Sequence, residues 1–200
     1  MLAATAGFVI LGAIIAYVAV GSGSGGNGSS TSGISSKDCV ETSYPGLSPK
    51  HLSNPDEKVK YNSFPPSSGP HYESPAPWNI YEDPIKQTRL VHNLEHGGVV
   101  IQYGPGVSKE DVSKLRSFYQ GDPYGLVVAP FPKLDRKFAL TAWNEPVYPQ
   151  GGGSENADAG HGYVLTCTRF DSKAFAKFRN TRRNKAGERY SSVKDMAPGS

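Results

Sequence analysis

The histidines are the residues of this chain whose chemistry and spacing are most informative. There are five of them, and four fall within residues 51–96. His92 and His96 are four positions apart in VHNLEHGG, so both rings share one face if the segment is helical. Neutral imidazole is the commonest protein ligand of zinc and copper, and two rings on one face can bind the same ion.

Two further histidines extend this set. His71 lies in SGPHY, where the preceding prolines stiffen the chain and lower the entropic cost of holding a ligand in place. We predict that a subset of four histidines binds one copper or zinc ion, with Glu95 as a fourth ligand or as the hydrogen-bond partner of a ligand. The four are His51, His71, His92 and His96. The alternative is that they are polar residues hydrogen-bonded within an ordered loop.

The same segment contains the pattern H-x-x-E-H, formed by His92, Glu95 and His96. In inverted zincins two such histidines bind zinc and the glutamate acts as general base, which makes a zinc hydrolase one alternative function. That mechanism needs a long helix and a further acidic ligand on another helix. Here GGVVIQYG (97–104) follows His96 at once and is typical of a buried strand. Signatures of a serine nucleophile, a phosphate loop or a dinucleotide site are absent from the sequence, so we expect metal binding without turnover.

Cys39 and Cys167 are the two cysteines of the chain, and their spacing is not that of a metal site. In an exported domain such a pair is expected to form a disulfide. A bridge over so long a loop would contribute about 4–5 kcal/mol in the chain-entropy model. We therefore predict a disulfide and a domain that lies outside the cytoplasm.

The first 36 residues of the chain differ from the rest in composition. Residues 1–20 are apolar and uncharged, and as a helix they would span about 30 Å, the thickness of the hydrocarbon core of a bilayer. This predicts a single-pass membrane anchor or, alternatively, the core helix of a pilin-like surface filament or membrane complex. Residues 21–36 are rich in Gly and Ser and predict a flexible linker. The remaining residues, 37–200, have the composition of a globular domain.

The net charge of +3 is small, and basic and acidic residues are interspersed. The basic run RNTRRNK (179–185) is expected to form a solvated helix face, and we expect no nucleic-acid partner. The expected partners are the membrane, through residues 1–20, and copies of the chain or other subunits of a membrane complex.

The pattern of the globular part predicts an α+β domain with a small, mainly antiparallel sheet flanked by two helices. Residues 37–87 are rich in Pro, Ser and Asn and are expected to form an ordered irregular loop. The predicted strands are 97–104, 126–131, 138–144 and 162–170, and the predicted helices are 108–120 and 172–184.

The motifs PPSSGPHY (65–72) and VHNLEHG (91–97), followed by VVAPFP (127–132) and FALTAWN (138–144), closely resemble a bacterial family, the domain of unknown function 3105. The resemblance covers roughly residues 45–145 and extends to the helix after Phe170. It implies a membrane-anchored or exported single domain and carries no activity with it. It also implies a histidine just before the first strand, a position that His51 would fill. The positions that match the family are His51, His71, His92, Glu95 and His96.

Overall fold

The structure is a computed structural model and describes residues 30–144 and 159–200. The predicted helix over residues 1–20 and most of the predicted linker lie outside these residues. Within the described ranges, no helix is long and apolar enough to cross a membrane.

The described chain folds into one six-stranded mixed sheet, one two-stranded parallel sheet and three α-helices. The strands are β1 (Ser30–Ser35), β2 (Cys39–Pro45), β3 (His51–Leu52), β4 (His71–Tyr72), β5 (Val99–Tyr103), β6 (Leu126–Pro130), β7 (Phe138–Asn144) and β8 (His161–Cys167). The helices are α1 (Gln87–Glu95), α2 (Lys109–Gly121) and α3 (Ser172–Arg182).

The large sheet has the strand order β1-β2-β8-β7-β5-β6. Strands β5 and β6 are parallel, and the other neighbours in this sheet are antiparallel. The α+β class is confirmed, and strands β5 to β8 lie where the sequence predicted them. Helices α2 and α3 also match their predictions. Ser108 caps α2 by accepting a hydrogen bond from the Asp111 backbone N–H, and α3 buries Phe175 and Phe178.

The prediction of two helices is wrong, because α1 is a third. This helix has nine residues, no side-chain cap and no acidic residue in its first turn, so it lacks the usual signals for the start of a helix. It is stabilised instead by burial of Leu90, Val91 and Leu94. The two glycines that follow end it. Gly97 has a φ of +82°, and a Cβ on Gly98 would lie 2.3 Å from the Trp78 ring.

Four strands, β1 to β4, occupy segments that were expected to be irregular. The end of the predicted linker forms the edge strand β1, and the start of the predicted irregular loop forms β2. Strand β2 pairs with β8 in a register that sets Cys39 opposite Cys167. Their side chains form the predicted disulfide, which is confirmed, with the two Cα atoms 4.1 Å apart.

The basic run at residues 179–185 is not a solvated helix face. Arg183 donates hydrogen bonds of 2.9 and 2.8 Å to the Asp122 carboxylate, and Arg179 lies 3.4 Å from the same carboxylate. Arg182 donates to the buried Glu41 and lies over the Tyr163 ring. The three arginines therefore fasten α3 to the sheet and to the end of α2.

Candidate metal centre

The short parallel pair β3–β4 positions the first two histidines. Its register sets His51 opposite His71 and Leu52 opposite Tyr72. The backbone N–H of His71 donates to the Lys50 carbonyl at 2.8 Å, which holds the strands together. Because facing residues of paired strands project to the same side, the two imidazoles meet, with ring centroids 4.7 Å apart.

Helix α1 supplies the other two members of the group. His92 and Glu95 are three residues apart and therefore lie on one face of the helix, which packs against β4. Asn93 fixes this arrangement from the neighbouring face. Its side-chain amide donates to the Ala76 carbonyl at 2.7 Å, and its side-chain oxygen accepts from the Ala76 N–H at 3.0 Å. The chain after β4 is thereby tied to the helix.

These elements bring His51, His71, His92 and Glu95 into one group whose potential ligand atoms all lie within 4.8 Å of one another. The inner part of the group is closed to solvent, because the His71 side chain is 0% exposed and that of Glu95 is 3% exposed. The His51 side chain is 53% exposed and forms the outer edge. The group is therefore a pocket of donor atoms that opens to solvent at His51.

Two backbone carbonyls orient the buried imidazoles. Nδ1 of His71 lies 2.8 Å from the Gly69 carbonyl oxygen, and Nδ1 of His92 lies 2.7 Å from the Tyr72 carbonyl oxygen. A carbonyl oxygen only accepts, so in each ring Nδ1 carries the hydrogen, and a neutral ring has its lone pair at Nε2. Hydrogen bonds of this kind orient the histidine ligands of metal sites in proteins.

The closest contact in the group is between His71 Nε2 and Glu95 Oε2, which are 2.8 Å apart. Both atoms are buried, and neither has a hydrogen-bond partner other than the atom that faces it. A buried carboxylate oxygen and a buried imidazole lone pair that face each other need a cation between them, because an unpaired buried polar atom costs its full desolvation free energy. A proton on Nε2 or a metal ion bound by both atoms meets that need, so the donor set fits a metal ion.

Burial and neighbouring side chains set the protonation states of His92 and Glu95. It lowers the pKa of His92 to about 4, against the opposing effect of the hydrogen bond to Tyr72, so the ring is neutral at physiological pH. Burial raises the pKa of the Glu95 carboxyl, but the close contact with His71 and the nearby rings of His51 and His92 outweigh it, and the net pKa lies below the ordinary value. A neutral imidazole and an ionised carboxylate are the protonation states that bind a metal ion.

His96 lies beside this group and not in it. Its Nε2 is 3.0 Å from His92 Nε2, and its Nδ1 is 3.2 Å from the Glu188 carbonyl oxygen. The ring also contacts Tyr190, with centroids 5.5 Å apart. His161 is exposed at the start of β8 and contacts the Tyr163 ring. Of the five predicted site residues, the structure therefore gathers four and sets His96 at their border.

Sequence reasoning missed the carbonyls of Gly69 and Tyr72, and it missed the C-terminal contacts of Glu188 and Tyr190. Backbone carbonyls carry no residue-type signal, so no pattern could have identified them. His51 lies within β3, after two other strands, and not just before the first strand as the resemblance implied.

A family profile described as Protein of unknown function (DUF3105) matches residues 52–194. The chain belongs to this family. The resemblance found from the motifs is thus confirmed, and the DUF3105 match extends further along the chain than the motifs do. The matched range holds His71, His92, Glu95 and His96 and begins one residue after His51. Neither the curated proteins nor the solved structures contain a significant match to this chain.

Proposed function

We propose that this domain binds one transition-metal ion, zinc or copper, through His51, His71, His92 and Glu95, and that it holds or passes on the ion without catalysing a reaction. The observation that carries the proposal is the buried contact between His71 Nε2 and Glu95 Oε2, two atoms that face each other at 2.8 Å and have no other hydrogen-bond partner. Their lone pairs converge, together with those of two further imidazoles, within one group.

The donor set narrows the choice of metal. Three imidazole nitrogens and one carboxylate oxygen suit Zn(II) or Cu(II), whereas Cu(I) prefers thiolate and thioether sulfur. Both cysteines are held in the disulfide and are unavailable as thiolates. We therefore expect a divalent ion.

A binding role follows from the number of donors. Four protein ligands complete the tetrahedral coordination of zinc, whereas a catalytic zinc site keeps one position for water or substrate. In an H-x-x-E-H hydrolase, Glu95 would stand away from the metal and activate a water molecule. Here its carboxylate lies 2.8 Å from His71 and 3.7 Å from His51, among the ligand atoms themselves. This position favours Glu95 as a ligand over Glu95 as a general base.

We also propose that the domain functions outside the cytoplasm, tethered to the membrane through residues 1–20. The disulfide between Cys39 and Cys167 supports an oxidising compartment. The alternative of a filament subunit depends on residues 1–20, which lie outside the described ranges, and it stays a prediction from the sequence.

Titration of the metal-free full chain with Zn²⁺ and Cu²⁺ tests the metal proposal. We expect one ion per chain and a rise in melting temperature that a chelator reverses, because an ion that binds only the folded state stabilises it. His51→Ala, at the exposed edge of the group, should weaken binding at least tenfold, and His161→Ala should not. The absence of stoichiometric binding, or equal effects of the two variants, would refute the proposal.

A further inference from the structure

We propose that His96 is the transfer ligand of this centre: it binds the ion transiently while the ion passes between the four-residue group and a metal acceptor at the protein surface. The inference rests on the proposed function. It assigns to His96 a role in exchange and not in the affinity of the site.

His96 lies close enough to His92 for the two residues to bind the same ion. In a tetrahedral zinc site with bonds of 2.0–2.1 Å, two ligand atoms lie about 3.3 Å apart. His96 Nε2 is 3.0 Å from His92 Nε2. One ion can therefore be bound by His92 and His96 together without a change in the fold.

The coordination number of the ion limits how many of these residues can bind it at one time. His51, His71, His92 and Glu95 already offer four donors within 4.8 Å of one another, and His96 is not part of that group. A tetrahedral ion can accept His96 only as one of the other ligands leaves. Nδ1 of His92 is occupied by the Tyr72 carbonyl, so its Nε2 is the one atom through which His92 can bind either position. His92 is thus the ligand common to both sets.

His96 is more exposed than the buried members of the group. His71 and Glu95 are closed to solvent, whereas His96 is half-buried at the end of α1. On its far side lie the Glu188 carbonyl and the Tyr190 ring, both in the C-terminal segment. An ion that moves from His71 and Glu95 to His92 and then to His96 therefore moves from a closed position to a half-buried one, by a route separate from the solvent opening at His51.

The ring of His96 is oriented by a contact with the C-terminal segment. Nδ1 of His96 faces the Glu188 carbonyl oxygen, which accepts its hydrogen, so in a neutral ring the lone pair lies at Nε2. That is the atom that faces His92. The contact with the C-terminal segment therefore holds His96 in the tautomer and orientation that a ligand at this position needs.

The test is transfer of zinc from the loaded full chain to an excess of the chromogenic chelator 4-(2-pyridylazo)resorcinol, followed by stopped-flow absorbance. We expect His96→Ala and His96→Gln to slow transfer about tenfold or more while the equilibrium Kd for zinc changes less than about threefold. His161→Ala should change neither quantity.

Two results would overturn the inference while leaving the metal centre intact. One is a wild-type transfer rate in both His96 variants. The other is a loss of affinity in these variants as large as that of His51→Ala, which would make His96 a permanent ligand. A wild-type chain that binds no metal would instead refute the proposed function, and with it this inference.

Discussion

Nε2 of His71 and Oε2 of Glu95 face each other at 2.8 Å in a buried position, and neither atom has another hydrogen-bond partner. His71 already donates from Nδ1 to the Gly69 carbonyl, so Nε2 of the neutral ring carries a lone pair. A lone pair that faces a carboxylate oxygen is repulsive unless a proton or a metal ion lies between them. This pair of residues therefore connects the local fold, which holds both side chains in place, to the proposed chemistry.

Replacing Glu95 with Gln should abolish tight metal binding while the shape of the side chain is kept. The amide loses the negative charge that neutralises the ion, and we expect affinity to fall about 100-fold or more, beyond the range typical of residues that only support a ligand. Calorimetric titration with Zn²⁺ measures the change. Glu57→Gln, the same substitution at an exposed carboxylate, is the control and should bind as the wild type does. Wild-type affinity in Glu95→Gln would contradict Glu95 as a ligand.

Gly98→Ala should damage both stability and the metal centre. The new Cβ would lie 2.3 Å from the Trp78 ring and 2.8 Å from the Asn93 carbonyl oxygen, so α1 or the Trp78 segment must shift. Overpacking of this kind costs about 1–3 kcal/mol, measurable by urea denaturation. Gly121→Ala is the matched control, because nothing lies within 4 Å of its added Cβ. Equal stability of the two variants would show that the close packing of α1 on Trp78 does not matter.

Asp122 should contribute stability that depends on pH. Hydrogen bonds from Arg183 hold the pKa of its carboxyl below the ordinary 3.8 and outweigh the effect of burial. As pH falls, the unfolded chain takes up this proton first, so the contribution is full above about pH 4 and is lost as pH falls through the folded pKa.

Asp122→Asn should therefore lower the free energy of unfolding by about 1–3 kcal/mol at pH 7, and by less at pH 3. Denaturation curves of the variant and of wild type at both pH values measure this difference. The exposed Asp83→Asn is the control and should have little effect at either pH. A deficit in Asp122→Asn that is the same at pH 3 and pH 7 would contradict the role of the ionised carboxylate.

The sequence was sufficient to predict those elements whose signals are local. Strand β7 and helix α2 follow from an apolar run and from a capped amphipathic pattern, and both lie where they were expected. Helix α1 is short and has no side-chain cap, and it is stabilised by tertiary burial of its apolar residues, so it was missed. The arginines of residues 179–185 were misassigned for a related reason. Their partners, Asp122 and Glu41, are distant in sequence, and no local pattern identifies such a pair.

The candidate centre was also predictable only in part, because some of its residues are brought together by contacts between distant segments of the chain. The residue types and the i, i+4 spacing of His92 and His96 indicated a metal site, but spacing alone suggested that these two would share the ion. The structure instead groups His92 with Glu95 and with His51 and His71, because the β3–β4 pairing brings the last two to the helix. That pairing consists of two residues in each strand, which is too short for a periodic signal.

X-ray absorption spectroscopy of the full chain loaded with one equivalent of zinc tests the central claim most directly. The account predicts about four nitrogen and oxygen neighbours at about 2.0–2.1 Å, with the outer-shell scattering of three imidazole rings. A shell of water oxygens without imidazole scattering, or a shell that contains sulfur, would contradict it.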